Sequence, residues 1–163
     1  MNGKTIRIAL DPKKPITELS YPEFYDIAVS KKCFGNCSFC YQDSTPESIE
    51  PENIIEKVRN FFKTFTRNQL PFQIAYGGGE VFTHKEFLEL LKVTKDELDI
   101  VPNYTTNGMW SFEEQKKVKE ILYVTKTYCG GVAVSTHPHL EKYWRKAVTL
   151  YLENNIFTNL HVI

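Results

Sequence analysis

The strongest constraint on the fold is an alternation of strand-like and helix-like segments along the whole chain. Short apolar runs of strand type are separated by segments whose apolar residues repeat at helical spacing. This alternation predicts βαβ units and a parallel sheet, because a parallel strand pair needs a crossover connection, usually a helix. The predicted strands are residues 25–30, 72–76, 100–105, 131–135 and 157–163. The sequence therefore predicts the α/β class.

Helices are predicted between these strands. The first covers about residues 51–66, where apolar residues recur at helical spacing and Pro51 suits a first helical turn. The last begins after Pro138 and ends at Asn155. Two capping boxes predict where the second and third helices begin: Thr83 with Glu86, and Ser111 with Glu114.

Glycine-rich and polar segments follow four of the predicted strands. These segments are 33–40, 77–80, 105–108 and 135–137. Because the carboxyl ends of parallel strands meet at one edge of a sheet or barrel, the four segments are expected to lie along one rim. This topology predicts a binding site at that rim.

Length and charge exclude several classes of protein. The 163 residues fit one domain, and the 20 basic and 20 acidic residues give a formal net charge of zero, which weighs against a polyelectrolyte nucleic-acid binder. No apolar run approaches the roughly 20 residues that cross a bilayer. We therefore expect a cytoplasmic protein with reduced cysteines and with neither a membrane nor a nucleic-acid partner.

Three of the four cysteines form a cluster in the sequence. Cys33, Cys37 and Cys40 share one short loop after the first predicted strand, so their thiolates can converge on one metal centre. A structural zinc site usually has four protein ligands, whereas an iron–sulfur cluster held by three cysteines has one iron open to another ligand. A zinc knuckle completed by a histidine or by Cys129 is the alternative. Cys129, at the start of a strand, is expected to be a buried structural thiol.

Charged residues and histidines near these segments have open roles. Lys31 and Lys32 precede the cysteines and either favour thiolates or form a solvated basic pair. His84, at a predicted helix start, is expected at the surface. His137 and His139 flank Pro138 at the predicted rim and either reach a substrate, cap a helix or face solvent.

The cysteine segment and three others together resemble a known family. CFGNCSFC resembles the CxxxCxφC signature of the radical S-adenosylmethionine (SAM) superfamily, where φ is usually aromatic and is here Phe39. Gly78-Gly79-Glu80 is similar to the GGE signature at the end of the next strand. TTNG at 105–108 and VSTHP at 134–138 resemble the ends of the family's third and fourth strands, so that the resemblance covers about residues 20–163.

The resemblance implies two cofactors and a set of residues that bind them. It implies a [4Fe–4S] cluster on the three cysteines, with the amino and carboxylate groups of SAM on the fourth iron. Phe39 and the backbone of Tyr41 would line the adenine pocket, and Ser135 would bond the ribose or carboxylate end. The full implied set for SAM is Phe39, Tyr41, Gly78, Gly79, Glu80, Asn107 and Ser135.

For Gly78, Gly79 and Glu80 the resemblance implies contact with the methionyl ammonium, through a close backbone and a charge-assisted bond. It also implies reductive cleavage of SAM to a 5′-deoxyadenosyl radical that abstracts hydrogen from an unidentified substrate. The electron would come from an external donor such as a flavodoxin or a ferredoxin.

The sequence departs from the family pattern at its end. The family fold is a partial (β/α)6 barrel, and about five of the six units are recognisable. We therefore expect one radical SAM core domain over residues 1–163, with residues 1–20 as an N-terminal extension and a barrel that is incomplete at its C-terminus. The chain is expected to be a fragment, one half of a split protein, or a minimal member whose barrel a partner or a dimer completes. The alternative function is a non-catalytic zinc or iron–sulfur module, or an inactive fragment that no longer turns over.

Overall fold

A computed structural model describes residues 22–162, so the expected N-terminal extension at residues 1–20 and the final residue of the fifth predicted strand lie outside the described part. Five strands form one parallel sheet in the order in which they follow along the chain. The strands are β1 (Phe24–Ser30), β2 (Gln73–Gly78), β3 (Val101–Thr106), β4 (Val132–Thr136) and β5 (Thr158–Val162). The predicted α/β class is confirmed, and each strand begins within one residue of its predicted start.

A helix connects each strand to the next. The helices are α1 (Ile54–Phe62), α2 (Phe87–Asp96), α3 (Gln115–Tyr128) and α4 (Glu141–Glu153). Short 3-10 turns precede three of them, at Val81–Thr83, Met109–Phe112 and Pro138–Leu140, and each lies just after a strand end. Among the residues described, none of the helices is long and apolar enough to span a membrane.

The core lies between the sheet and its helices and contains several buried aromatic side chains. Tyr104 is fully buried on β3, and its hydroxyl lies 2.8 Å from the Tyr151 hydroxyl and 2.7 Å from that of Thr125. On β2 the buried Tyr76 hydroxyl lies 2.7 Å from the Thr94 hydroxyl. Because a buried hydroxyl without a partner is costly, these pairs fix how α2, α3 and α4 pack on the sheet.

The predicted start of α1 and both predicted capping boxes were wrong, whereas α4 begins after Pro138 as predicted. Helix α1 begins after Asn53, whose φ of 54° is left-handed, so Pro51 precedes the helix and lies outside its first turn. Neither predicted capping box forms. The Thr83 hydroxyl donates to the Glu50 carboxylate at 2.6 Å, and the Ser111 hydroxyl donates to the Tyr143 carbonyl at 3.3 Å. Both hydroxyls connect distant elements, which local spacing does not reveal.

Candidate functional site

The cysteine loop follows β1, and Glu50 closes it against the strand end. The Glu50 carboxylate accepts hydrogen bonds from the Thr83 hydroxyl at 2.6 Å, the Lys31 amide at 2.9 Å and the Ser30 hydroxyl at 3.0 Å. Burial alone would raise the pKa of Glu50, but these three donors outweigh it and lower that pKa below its ordinary value. Glu50 is therefore ionised at neutral pH and anchors the far end of the loop.

Cys33 lies at the start of the loop, against the end of β3. Its amide donates to the Thr45 carbonyl at 3.2 Å, which pairs the two arms of the loop. Its Sγ accepts from the Gly35 amide at 3.3 Å and from Asn107 Nδ2 at 3.5 Å. Hydrogen bonds of this kind stabilise negative charge on a sulfur ligand.

Burial dominates the acidity of two of the three loop thiols. It raises the pKa of Cys33, with hydrogen bonds from Gly35 and Asn107 acting the other way, and it raises the pKa of Cys37. Neither Lys31 nor Lys32 contributes to these shifts. The role of Lys31 and Lys32 beside the thiolates stays a prediction.

The three thiols share one loop, but they do not form a finished ligand set. Among residues 22–162 no three histidine, cysteine or carboxylate side chains are gathered closely enough to hold an ion as they stand. The donor set itself fits a three-thiolate cluster, since three half-buried cysteines lie on one segment and Cys33 already accepts two N–H groups.

Two histidines after β4 lie beside the cysteine loop, at the rim where the sequence placed them. His139 Nε2 lies 2.9 Å from the Gly35 carbonyl oxygen and 3.4 Å from Cys37 Sγ. The His137 ring lies 5.1 Å from the Phe39 ring, and only 8% of His137 is exposed. His137 Nδ1 is a buried atom without a hydrogen-bond partner, so this part of the rim holds an unsatisfied polar group.

The Gly78-Gly79-Glu80 segment lies against the start of the cysteine loop. The Gly79 amide donates to the Ser30 carbonyl at 2.8 Å, and the Glu80 amide donates to the Lys32 carbonyl at 2.7 Å. A Cβ on Gly79 would overlap the Lys32 carbonyl oxygen, and Gly78 has a φ of 109°. Both glycines are therefore needed for the approach of the two backbones.

The matched pair Gly79→Ala and Gly77→Ala tests this close approach. Gly79→Ala should lower the free energy of unfolding by about 1–3 kcal/mol, because the added methyl must displace backbone. At Gly77 the nearest atom to an added Cβ is Asp26 Oδ1 at 3.9 Å, an ordinary contact, so Gly77→Ala should be nearly neutral. Chemical denaturation measures both. Equal losses in the two variants would contradict the assigned role of Gly79.

Glu80 is a buried carboxylate that connects the ends of β2 and β3. It is 4% exposed and accepts from the Thr106 hydroxyl at 2.8 Å, the Asn107 amide at 2.8 Å and the Phe82 amide at 3.4 Å. Burial raises the pKa of Glu80 to about 7, although the three donors oppose that rise. A carboxylate so perturbed at a strand end is a candidate for function.

The other residues predicted for the site are spread along the same rim. Phe39 is 50% exposed beside His137, and Tyr41 is 89% exposed on the loop surface. Ser135 is half-buried on β4, opposite His161 of β5. Cys129 follows α3 at the start of β4, which is the opposite end of the sheet, so it cannot complete a zinc site with the loop cysteines.

One expectation about a histidine was wrong, and two residues were missed. His84 is buried, with Nε2 2.7 Å from the Pro51 carbonyl oxygen and Nδ1 accepting from the Glu86 amide, so it holds the segment before α1. Glu50 and Thr106 were not predicted as site residues. No local pattern marks Glu50, but Thr106 belongs to the TTNG segment, which is the signal that could have revealed it.

The fold and the site together define a parallel α/β protein with a three-cysteine loop and a glycine-rich acidic segment at adjacent strand ends. The family model of the radical SAM superfamily matches residues 27–125, more than half of the chain. The chain belongs to the radical SAM superfamily. That family implies SAM and a [4Fe–4S] cluster as cofactors.

Similar proteins include one curated relative and several solved structures. "Putative peptide biosynthesis protein YydG" of Bacillus subtilis (strain 168) is 30% identical over 110 residues, which are 63% of this chain and 32% of that protein. Streptococcus suis SuiB bound to S-adenosylmethionine superposes with a TM-score of 0.65 at 16% identity, over 86% of this chain and 34% of SuiB.

SuiB is also solved bound to the precursor peptide SuiA, with a TM-score of 0.51 at 17% identity, over 88% of this chain and 40% of that one. BtrN in complex with AdoMet and 2-DOIA gives a TM-score of 0.60 at 15% identity, over 85% of this chain and 56% of BtrN. These likenesses show the fold. The chain spans about a third of the length of YydG and of SuiB in its SAM-bound structure.

Proposed function

We propose that Cys33, Cys37 and Cys40 bind a [4Fe–4S] cluster and that SAM binds beside it, at the rim formed by the ends of β1 to β4. When bound, the reduced cluster would supply the one electron for reductive cleavage of SAM, whose products are methionine and a 5′-deoxyadenosyl radical that abstracts hydrogen. The protein's part is to hold both groups, to orient them and to exclude water.

The observation that carries this proposal is the position of Asn107, which contacts both signature segments. Its backbone N–H donates to Glu80 Oε2 at 2.8 Å, and its side-chain Nδ2 lies 3.5 Å from Cys33 Sγ. One residue therefore links the cysteine loop to the acidic segment. A ligand that spans a cluster and a carboxylate fits this arrangement.

Glu80 is proposed to receive the methionyl ammonium of SAM. A carboxylate has about four lone-pair positions, and three protein donors leave one for a ligand. Gly78 and Gly79 hold the backbone of this segment against the loop entrance. The positive ligand then compensates the cost of a buried negative charge.

The adenosine end of SAM is proposed to lie along the loop and β4. Phe39 offers an exposed ring face, and the unpartnered Nδ1 of His137 offers a polar atom beside it. Ser135 supplies a hydroxyl for the ribose or the carboxylate end, and the backbone of Tyr41 extends the same surface. An aromatic face with a few polar groups is typical of sites for planar heterocycles.

For the substrate we propose a peptide. The name of YydG refers to peptide biosynthesis, and SuiB is solved with a precursor peptide. A flavodoxin or a ferredoxin is the proposed electron donor, and a reducing cytoplasmic compartment suits an oxygen-sensitive cluster. Transfer of deuterium from a labelled peptide to 5′-deoxyadenosine, in the full-length protein, tests the substrate class.

Anaerobic reconstitution with iron, sulfide and reductant tests the proposed cofactors. We expect a brown protein with about four irons and four sulfides per chain. The alternative is a zinc module completed by His139, whose Nε2 lies 3.4 Å from Cys37 Sγ and must give up its hydrogen to bind the metal. Stoichiometric zinc without iron or sulfide would establish that alternative. An inactive relic would bind the cluster and SAM but release no 5′-deoxyadenosine.

A further inference from the structure

His139 makes two polar contacts with the cysteine loop from a single ring nitrogen. Its Nε2 lies 2.9 Å from the Gly35 carbonyl oxygen and 3.4 Å from Cys37 Sγ. A carbonyl oxygen can only accept, so Nε2 must carry the hydrogen. One N–H group is therefore shared between the Gly35 oxygen and the Cys37 sulfur.

The elements on both sides of this contact are held in place. His139 belongs to the turn Pro138–Leu140, which follows β4 directly and leads into α4. On the loop side, a Cβ on Gly35 would lie 3.3 Å from both Cys33 Sγ and Leu140 Cδ1, so the loop packs closely on this turn. The imidazole thus reaches Cys37 from a turn that packs against the loop.

We propose that His139 is a positioning residue for the cluster, which fixes the loop through Gly35 and donates its Nε2 hydrogen to the Cys37 sulfur. This inference rests on the proposed function, since it assumes a cluster on Cys37. A donor to a sulfur ligand stabilises the added negative charge of the reduced cluster, so it raises the reduction potential. His139 acts at Cys37, as Asn107 does at Cys33.

Three variants test the proposal in the reconstituted chain. His139→Leu removes the donor, whereas His139→Gln keeps an N–H at similar reach. His161→Leu removes an exposed histidine from β5 and serves as the matched control. Iron and sulfide content is measured first, and the midpoint potential of the cluster then follows from a redox titration monitored by electron paramagnetic resonance. Hydrogen exchange of residues 33–41 is measured in the cluster-free chain.

We expect His139→Leu to shift the midpoint potential to a more negative value and to speed exchange in the loop of the cluster-free chain. His139→Gln and His161→Leu should resemble the wild type in both readouts. Two results would overturn the role of His139 while leaving the proposed function intact. One is a wild-type potential in His139→Leu, and the other is a potential in His139→Gln as negative as that in His139→Leu. If His139→Leu takes up no cluster, exchange of residues 33–41 in its cluster-free chain decides, and exchange at the wild-type rate there would overturn the proposal.

The two proposals fail in different ways. If the wild type takes up no iron, or takes up zinc in its place, the proposed function is overturned and the claim about the potential with it. If the wild type loads iron and sulfide and only the potentials disagree, the proposed function stands and the role of His139 is wrong.

Discussion

Replacing Cys33, Cys37 or Cys40 with alanine should reduce the iron content of the reconstituted chain from about four per chain to below about one. In the proposed cluster each of these residues supplies one of three protein ligands, and a cluster with only two cysteine ligands lacks the coordination that holds it. Iron and sulfide analysis, together with the visible absorption spectrum, measures the effect. Far-ultraviolet circular dichroism checks that each variant still folds.

Cys129→Ala is the matched control for the three ligand variants. Cys129 lies at the opposite end of the sheet from the loop and packs against the apolar core, so its loss should leave the cluster intact. The contradictory result is a cluster that persists in Cys37→Ala and disappears in Cys129→Ala. That result would reassign the ligands.

Glu80→Gln should weaken SAM binding to the reconstituted chain by about 1.5–3 kcal/mol, which is roughly 10- to 150-fold in Kd. The substitution keeps the shape of the side chain and removes the charge proposed to face the methionyl ammonium. The iron content should stay at the wild-type value, because Glu80 is not a ligand of the cluster. Equilibrium binding measures the affinity, and an unchanged affinity would mean that backbone groups alone hold the ammonium.

The pH dependence of SAM affinity provides a second test of Glu80. Burial raises the pKa of Glu80 to about 7, so its carboxyl is mostly protonated at pH 6 and mostly ionised at pH 8. The ammonium binds the ionised form, so affinity should rise by up to about tenfold over this interval. In Glu80→Gln the pH dependence of SAM affinity that remains comes from the titration of SAM itself. Parallel pH profiles in the two proteins would exclude an ionising Glu80 from the binding site.

Much of the fold follows from the sequence because each strand and helix has a local signal. The apolar runs and the helical periodicity predict five strands and their connections, and the strand ends then meet at one rim by topology. The starts of α1, α2 and α3 do not follow in this way. Thr83 and Ser111 have the spacing of capping residues, but their hydroxyls bond to Glu50 and to the Tyr143 carbonyl, which are distant in sequence.

The site follows from the sequence to a smaller extent. The cysteine spacing and the GGE segment predict where the chemistry lies, because each is a local pattern. Glu50 is the counterexample: it anchors the loop through contacts with residues up to 33 positions away, and nothing local marks it. His139 was a candidate at the rim, but its contact with Cys37 spans 102 positions and depends on tertiary packing.

Electron–nuclear double resonance tests the central claim most directly, because it reports whether SAM binds a cluster in this chain. The sample is the reduced, reconstituted chain with SAM labelled with nitrogen-15 in the amino group and oxygen-17 in the carboxylate. We predict hyperfine coupling of both labels to the cluster, because one iron without a cysteine ligand accepts both groups. A reduced cluster whose spectrum is unchanged by labelled SAM at saturating concentration would contradict the account.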